Sequence, residues 1–342
     1  MSLGPSVNLW VGDNGAGKTS ILEAVAILSL GRSFVTPRTK SVIAVGSDAL
    51  TVFGRVSQKG ECHRLAVQVS SGEDRRLRFN GLMAKGQAVL NRALPVLVIA
   101  PHGPDLIVGS PGDRRRFLDW GAFHWSGGDS RVFSALSRVL LQRNAGLRSG
   151  TLTESELEAW DHQIEGLGGA VDGWRRAFVD ALVPRFSSLL VALGLGIDLR
   201  LDYRNGWGDT SLGAALSRSR ERDRRGKVSH VGPHRADLIV YRGEGRAMET
   251  LSRGQLKIVN LALILAQLKA AMDQQKSPVL CMDDPGAELD SKNLASVWDV
   301  VLGMGCQVLA TGLTHQRAGL ELDRVKDSMV FHVKRGKVEV KG

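Results

Sequence analysis

The sequence predicts an α/β fold interrupted by an α-helical insert, and three observations carry that prediction. Residues Gly12 to Thr19 read G-D-N-G-A-G-K-T, set between an alternating strand pattern and an apolar helix pattern. A short apolar run, Val279 to Met282, ends on Asp283 and Asp284, as a buried parallel strand does at the ligand-binding edge of an open sheet. Between these two segments, apolar residues from Phe133 to Phe178 step by three and four, the spacing of long helices.

The first element is a strand, because Val7, Leu9 and Val11 alternate, and the last part of this opening segment, Ile21 to Leu28, reads as a buried helix. The loop between them fits G-x-x-x-x-G-K-[ST], whose glycines let consecutive N–H groups face the β- and γ-phosphates of a nucleotide. A strand feeding a helix N-terminus is an anion site. The pattern assigns ATP to Gly12, Asp13, Asn14, Gly15, Ala16, Gly17, Lys18, Thr19 and Ser20, with Lys18 on the phosphates and the Thr19 hydroxyl on Mg²⁺.

Further along, Thr51 to Val56 and Leu65 to Val69 alternate as antiparallel strands. Phe133, Leu136, Leu140 and Leu147 then give one helix, and Leu157, Trp160, Ile164, Leu167, Val171, Trp174 and Phe178 give an apolar seam along a second, longer one. Trp120, Trp125, Trp160, Trp174 and Trp207, five of the chain's seven tryptophans, lie in this region, which predicts a helical core of its own. The expected organisation is a head in two halves, residues 1–109 and 216–342, around a helical arm at 110–215. Asp198 to Tyr203, Ala236 to Arg242, Val279 to Met282, Gln307 to Thr311 and Met329 to Val333 are the strands expected after the arm begins to return. At the end of one of them, Asp283 is the expected Mg²⁺ partner and Asp284 the expected base or orienter for an attacking water. Lys18, Asp283 and Asp284 thus form the expected catalytic set.

Leu251-Ser252-Arg253-Gly254-Gln255 opens a strongly apolar helix, Ile258 to Leu268. Ser252 followed by Gln255 is a capping box, and it is equally a hydroxyl with free N–H groups at a helix N-terminus, able to recognise a phosphate. The segment resembles the signature loop of ABC-type ATPases, which contacts the γ-phosphate held by the phosphate loop of a second subunit. That resemblance implies that Ser252, Arg253, Gly254 and Gln255 act in trans, within an ATP-dependent homodimer.

The chain as a whole resembles the RecF family of bacterial repair ATPases, whose head is of the ABC and SMC type. Gly31-Arg32-Ser33-Phe34, Gly112 to Trp120, Leu141-Gln142-Arg143-Asn144, Gly232 to Leu238, the segment from Leu251 to Lys257, and Asp283-Asp284 ahead of Glu288-Leu289-Asp290 carry the resemblance in family order. It implies an ABC-type P-loop ATPase head with an inserted α-helical arm, work at single-strand gaps in repair, replication restart and the damage response, and partnership with RecR, RecO and RecA. The sequence departs from the family pattern at Val35, His102 and Ala287, and only eleven residues precede Gly12. Asp284 is shorter than the glutamate usual at this place in transporters, which implies slow turnover.

A net charge of +10 and a pI near 9.8 make a polyanion a natural partner. The charge is clustered at Arg114-Arg115-Arg116, at Arg75-Arg76 with Arg78, and at Arg218, Arg220, Arg222, Arg224, Arg225 and Lys227. The last run is expected either as a phosphate-contacting loop on duplex or gapped DNA or as a solvated linker. No recognition-helix or zinc-finger pattern accompanies it, so the expected DNA contacts read backbone and shape. His234 and Arg235 are either a turn after Gly232-Pro233 or residues near nucleotide or DNA. Cys62, Cys281 and Cys306 have no metal spacing and read as reduced core residues of a cytoplasmic protein. No uninterrupted apolar run has the length of a membrane span. Three rival readings share the nucleotide motifs: a transporter subunit, an SMC-like partner of a nuclease, and a non-hydrolysing ATP-sensing scaffold.

Overall fold

A computed structural model of the chain describes all residues except 37, 59, 71–74, 102, 316–317, 321–324 and 342; His102 therefore lies outside the described residues. The chain divides into two compact units. The first comprises residues 1–104, 189–195 and 264–342, and the second residues 105–188 and 196–263.

The first unit begins with β1 (Val7–Val11), whose five residues are all buried, followed by the loop and α1 (Lys18–Leu30). An antiparallel sheet follows, formed by β2 (Ala49–Gln58), β3 (Glu61–Ser70), β4 (Arg76–Phe79) and β5 (Leu82–Met83) in that order. After α2 (Gln87–Ala93), β6 (Val96–Ile99) enters the main sheet. The alternation of Leu65, Val67 and Val69, all buried, against exposed Thr51, Phe53 and Arg55 gives the antiparallel sheet one inner and one outer face. Its inner residues pack with Leu22, Ala26 and Ile27 of α1 and with Trp10 and Phe331 in one apolar core.

The second unit is mainly helical. It contains α3 (Pro111–His124), α4 (Ser130–Ser149), most of α5 (Glu154–Ala192), β7 (Arg200–Arg204), α6 (Leu212–Gly226), β8 (Asp237–Arg242), β9 (Gly245–Arg246), α7 (Ala247–Thr250) and the opening turns of α8 (Arg253–Asp273). The three-and-four spacing becomes a core here: Leu136, Val139 and Leu140 of α4 meet Ile164 and Val171 of α5 and Leu212 and Leu216 of α6, with Trp160, Trp174 and Trp207 packed against them. The strands at 200–204 and 237–242, expected in the returning head, lie in this second unit instead. β7 and β8 pair with each other, and β8 with β9, in a separate three-stranded antiparallel sheet. The alternation of buried and half-buried residues in β8 and the partial exposure of β7 suit a two-faced sheet and not a fully buried parallel one.

The chain completes the first unit with the rest of α8, then β10 (Val279–Met282), α9 (Pro285–Glu288), α10 (Ser291–Met304), β11 (Gln307–Gly312), β12 (Met329–Lys334) and β13 (Lys337–Lys341). The main sheet has the order β13-β12-β1-β11-β10-β6, parallel except for β13. Central strands β1 and β10 are buried at every residue because both of their faces are covered, β10 as a continuous apolar run and β1 with one buried polar residue, Asn8. α8 is long and apolar enough to cross a membrane by length and mean hydropathy, although Lys257, Asn260, Gln267 and Lys269 interrupt its apolar run, and 67% of its apolar window is buried in the fold. Cys281 and Cys306 are buried as expected, but Cys62 is exposed, because it falls on the outer face of β3.

Candidate nucleotide site

β1 and β10 belong to the same parallel sheet, so their C-terminal ends open on the same edge. From the end of β1 the loop 12–17 bends back with Ala16 N–H donating to the Asp13 carbonyl at 3.2 Å. Gly12 has φ 156° and a Cβ there would meet the Val333 carbonyl oxygen at 2.3 Å, so only glycine fits. The turn between β12 and β13 supports the loop from the side, with Gly336 N–H donating to the Ala16 carbonyl at 2.9 Å. That hairpin contact has no signature in the loop's own sequence.

Lys18, mostly buried, donates from Nζ to the carbonyls of Gly12 and Asp13 at 2.7 and 2.9 Å. Its ammonium is therefore held over the loop by backbone dipoles. Asp13, Asn14, Gly15 and Ser20 are exposed, Thr19 is half-buried and Ala16 is buried. Behind the loop, buried Glu23 accepts from the Phe34 N–H at 2.8 Å and from the Ser33 hydroxyl, which explains why Ser33-Phe34 follows α1 in this chain.

Opposite the loop, Thr19 Oγ1 lies 3.0 and 3.1 Å from the two carboxylate oxygens of Asp283. The Asp283 N–H donates to the Ile99 carbonyl of β6 at 2.8 Å, which fixes where the strand ends. Thr311, fully buried on β11, donates to Asp283 Oδ1 at 2.6 Å and accepts from the Asp284 N–H at 2.9 Å. Sequence reasoning gave Thr311 only as the last residue of a strand. The signal was there, since a lone hydroxyl ends a run of apolar residues on a strand neighbouring the acidic one. Asp284 itself has φ 43° and ψ 58°, an uncommon left-handed conformation for a side-chain-bearing residue, and begins α9. Below it, Cys281 is pushed up to about 12 by burial, with the Asp283 charge adding to the shift, so its thiol is inert.

A hydroxyl and a carboxylate side by side form a hard oxygen donor pair of the kind that binds Mg²⁺ together with substrate phosphates. Among the described residues there is no cluster of three or more His, Cys, Asp or Glu able to cage a metal alone. The Thr19–Asp283 donor pair itself fits a metal bound together with nucleotide phosphates.

The segment at 251–255 is a complete capping box. Ser252 N–H donates to Gln255 Oε1 at 3.0 Å and Gln255 N–H to Ser252 Oγ at 3.3 Å, at the start of α8. Ser252, Arg253 and Gly254 are exposed and Gln255 half-exposed, so the cap leaves the helix N-terminus open to a phosphate.

The basic run from Arg218 to Lys227 is neither a loop nor a linker. It lies in α6, because Leu212, Ala215, Leu216, Ser219 and Asp223 form a buried stripe at helical spacing, and Lys227 caps the helix at φ 55°. Arg220 bonds Asp161 and Glu154, each at 2.7 Å, and Arg224 bonds Glu154 at 2.7 Å. Arg225 lies 3.8 Å from Glu221, while Arg218, Arg222 and Lys227 are exposed. On the inner side, fully buried Arg143 bonds Asp161, Asp223 and Ser229, and Asp223 also accepts from His230. Ser229 in turn bonds Asn144, and its carbonyl meets both His234 Nε2 and Arg235.

The stretches 112–120 and 232–238 are tied to each other by contacts of their own. Arg175 links Asp119 to the Pro233 carbonyl, Arg115 donates to the Ala236 carbonyl, and Arg114 pairs with Asp237 at 2.6 Å. His234 and Arg235 are thus tied down structurally within the second unit. Burial pulls His234 below the ordinary histidine range, and among the described residues its Nδ1 has no hydrogen-bond partner. Of the departures noted in the sequence, Val35 and Ala287 are both exposed.

Residues 1–335 match the family described as the RecF/RecN/SMC N terminal domain. A "DNA replication and repair protein RecF" of Marinomonas sp. (strain MWYL1) is 35% identical over 98% of this chain and 92% of its own length. The fold matches a solved structure of "the recombination mediator protein RecF-ATP in RecFOR pathway" with TM-score 0.86 and 22% identity, over 100% of this chain and 93% of that one. An Smc head domain from Pyrococcus furiosus matches with TM-score 0.54 and 14% identity, over 100% of this chain and 91% of that one. The α/β fold is accordingly that of RecF and SMC heads, the ABC type expected from the sequence.

Proposed function

This chain belongs to the RecF family of the RecF/RecN/SMC group, and from that premise we propose that it is an ATP-controlled, dimerising clamp on DNA. The observation that carries the proposal is the meeting of Thr19 with Asp283 over 3.0 Å, across a loop that holds Lys18 ready for phosphate. Residues Gly12 to Ser20 bind the ATP phosphates of one copy. Ser252 to Gln255 of a second copy close over the γ-phosphate, so that two heads share two nucleotides. The head and arm expected at 1–109 with 216–342 and at 110–215 correspond in outline to the two compact units, except that 216–263 lies in the helical unit and 189–195 in the head's.

Thr19 and Asp283 would hold Mg²⁺, which when bound neutralises charge on the transferring phosphoryl group. Lys18 orients the β- and γ-phosphates, Thr311 holds the Asp283 carboxylate in place, and Asp284 orients the attacking water. An aspartate at that place reaches less far than a glutamate, which favours slow hydrolysis suited to a switch. The energetic logic is a population shift: contacts across the interface must favour the closed dimer by several kcal/mol in ATP relative to ADP.

The basic surface, the resemblance to RecF proteins and the absence of a base-reading motif support binding to duplex or gapped DNA by its backbone. The same family resemblance supports action in the cytoplasm with RecR, RecO and RecA, helping to load the last at single-strand gaps. Light scattering of gel-filtered protein tests the clamp directly: a doubling of mass with a non-hydrolysable ATP analogue, and not with ADP, is the expected result. A mass that ignores nucleotide would overturn it.

A further inference from the structure

The sheet β2–β5 buries one face and leaves the other open, and its register fixes what stands on the open face. Phe53 lies opposite Ala66, which lies opposite Arg78, which lies opposite Met83; one step along, Arg55 lies opposite Arg64. Phe53 is 61% exposed and Met83 62%, and the three arginines are exposed as well. Ala66 is too short to cover the aromatic ring beside it.

Two properties make this face unlike an ordinary solvated one. The strand residues that share it include no Asp or Glu, and among the described residues Arg55, Arg64 and Arg78 have no ion-pair partner. Arg55 and Arg64 stand directly across from each other, an arrangement of like charges that destabilises a sheet. A fold that keeps uncompensated repulsion next to an open aromatic ring has a surface suited to an outside anion with a flat apolar part.

A single nucleic-acid strand has that chemistry, with a phosphate at every step and unstacked bases whose faces can lie on an aromatic side chain. A duplex offers the phosphates and no base face; an acidic peptide offers charge and nothing for the ring to stack on. We propose that the open face of β2–β5 is a contact surface for an unpaired DNA strand, with Phe53 stacking on a base and Arg55, Arg64 and Arg78 holding the neighbouring phosphates. The inference rests on the DNA-binding reading above and adds to it the part of the chain that tells a single strand from a duplex.

The test titrates full-length protein into an oligonucleotide carrying 2-aminopurine, and in parallel into a fluorescent duplex and a fluorescent poly-glutamate peptide. Phe53→Ala should weaken single-strand binding by about tenfold and remove the 2-aminopurine quenching, while leaving duplex binding unchanged; Phe53→Trp should keep both. Arg55→Ala with Arg64→Ala should reduce the slope of log K against log salt on the single strand by about 1.4, from roughly 0.7 per phosphate contact, without lowering thermal stability. Single-strand affinity and quenching unchanged in Phe53→Ala would overturn the proposal, as would equal losses of single strand and poly-glutamate in the arginine pair, which would mark a dock for acidic protein. Failure of the wild type to bind any DNA would instead remove the DNA-binding reading itself.

Discussion

Thr311 gives its hydroxyl hydrogen to Asp283 over 2.6 Å and receives the N–H of Asp284 on the same oxygen at 2.9 Å. One buried side chain therefore sets both acidic residues, the carboxylate of the first and the backbone of the second. Thr311→Val keeps the shape and removes both bonds. A hydrogen bond to a charged group is worth about 1.5–3 kcal/mol, so the expected loss is roughly 10- to 100-fold in ATP hydrolysis, with nucleotide binding largely retained. Phosphate release at saturating ATP is the measurement, and unchanged turnover would separate Thr311 from the site.

Hydrolysis should divide between two better-known positions in a different way. Lys18→Ala removes the cation that the loop holds over its own carbonyls and should abolish tight ATP binding. Asp283→Asn leaves the loop intact and should retain nucleotide while cutting Mg²⁺-dependent turnover by about 100-fold or more. Equilibrium binding of a fluorescent ATP analogue beside steady-state phosphate release distinguishes them. Normal release by Asp283→Asn would remove the proposed metal role.

How much of this was legible in the sequence differs by element. The loop, β1, α1 and β10 were readable because each is specified locally, by glycines, apolar runs and a Lys-Thr pair at fixed spacing. Thr311, the β12–β13 turn and the Glu23 contacts to Ser33 and Phe34 were not, because each depends on a partner far along the chain or on a side chain with several possible uses. The basic run at 218–227 misled for a physical reason. Its exposed arginines dominate the composition, whereas the helix is decided by the sparse buried stripe of Leu212, Ala215, Leu216, Ser219 and Asp223. In the same way β7 and β8 were found as strands, but not the separate sheet they form in the second unit, since strand pairing is settled by topology that alternation does not encode.

His234 gives the second unit a pH dependence of definite sign. Burial lowers its folded pKa below the ordinary 6.5, so the unfolded chain takes up a proton that the folded one refuses. Well above pH 6.5 the residue is neutral in both states and costs nothing. As pH falls from there toward the lowered folded pKa, stability should drop by at most about 1.4 kcal/mol per pH unit from this one group. Urea unfolding of wild type and His234→Gln between pH 5 and 8 is the check; parallel profiles would mean that His234 is as easily protonated in the fold as outside it.

Ser252 caps α8 and, in the proposed dimer, meets the ATP of the other copy. The two roles separate by experiment, because cap loss costs about 1 kcal/mol of stability whereas loss of the phosphate contact costs assembly. Ser252→Arg should bind ATP and remain a monomer, with a modest fall in melting temperature. Mixing it with Lys18→Ala should restore one competent site per heterodimer. Should Ser252→Arg dimerise on ATP as wild type does, the loop serves only its own helix.

The arginines of α6 are not equally free to meet a phosphate, and their ion pairs rank them. Arg220 is held by two carboxylates and Arg224 by Glu154, so neither is available to a phosphate without breaking an ion pair. Arg222 is exposed, and Arg225 has only a long, exposed contact to Glu221. Changing Arg222, Arg224 and Arg225 to Ala together would flatten the salt dependence of duplex binding by up to about 2.7 if all three touched phosphates, at roughly 0.9 each. With Arg224 committed to Glu154, the expected change is about 1.8, and Arg224→Ala alone should leave the slope unaltered while mildly destabilising the second unit. The measurement is a salt titration of fluorescent gapped duplex with and without an ATP analogue, for wild type, the triple variant and Arg224→Ala. Equal slopes for wild type and triple variant would take α6 out of the DNA surface and leave its arginines a solvated helix face.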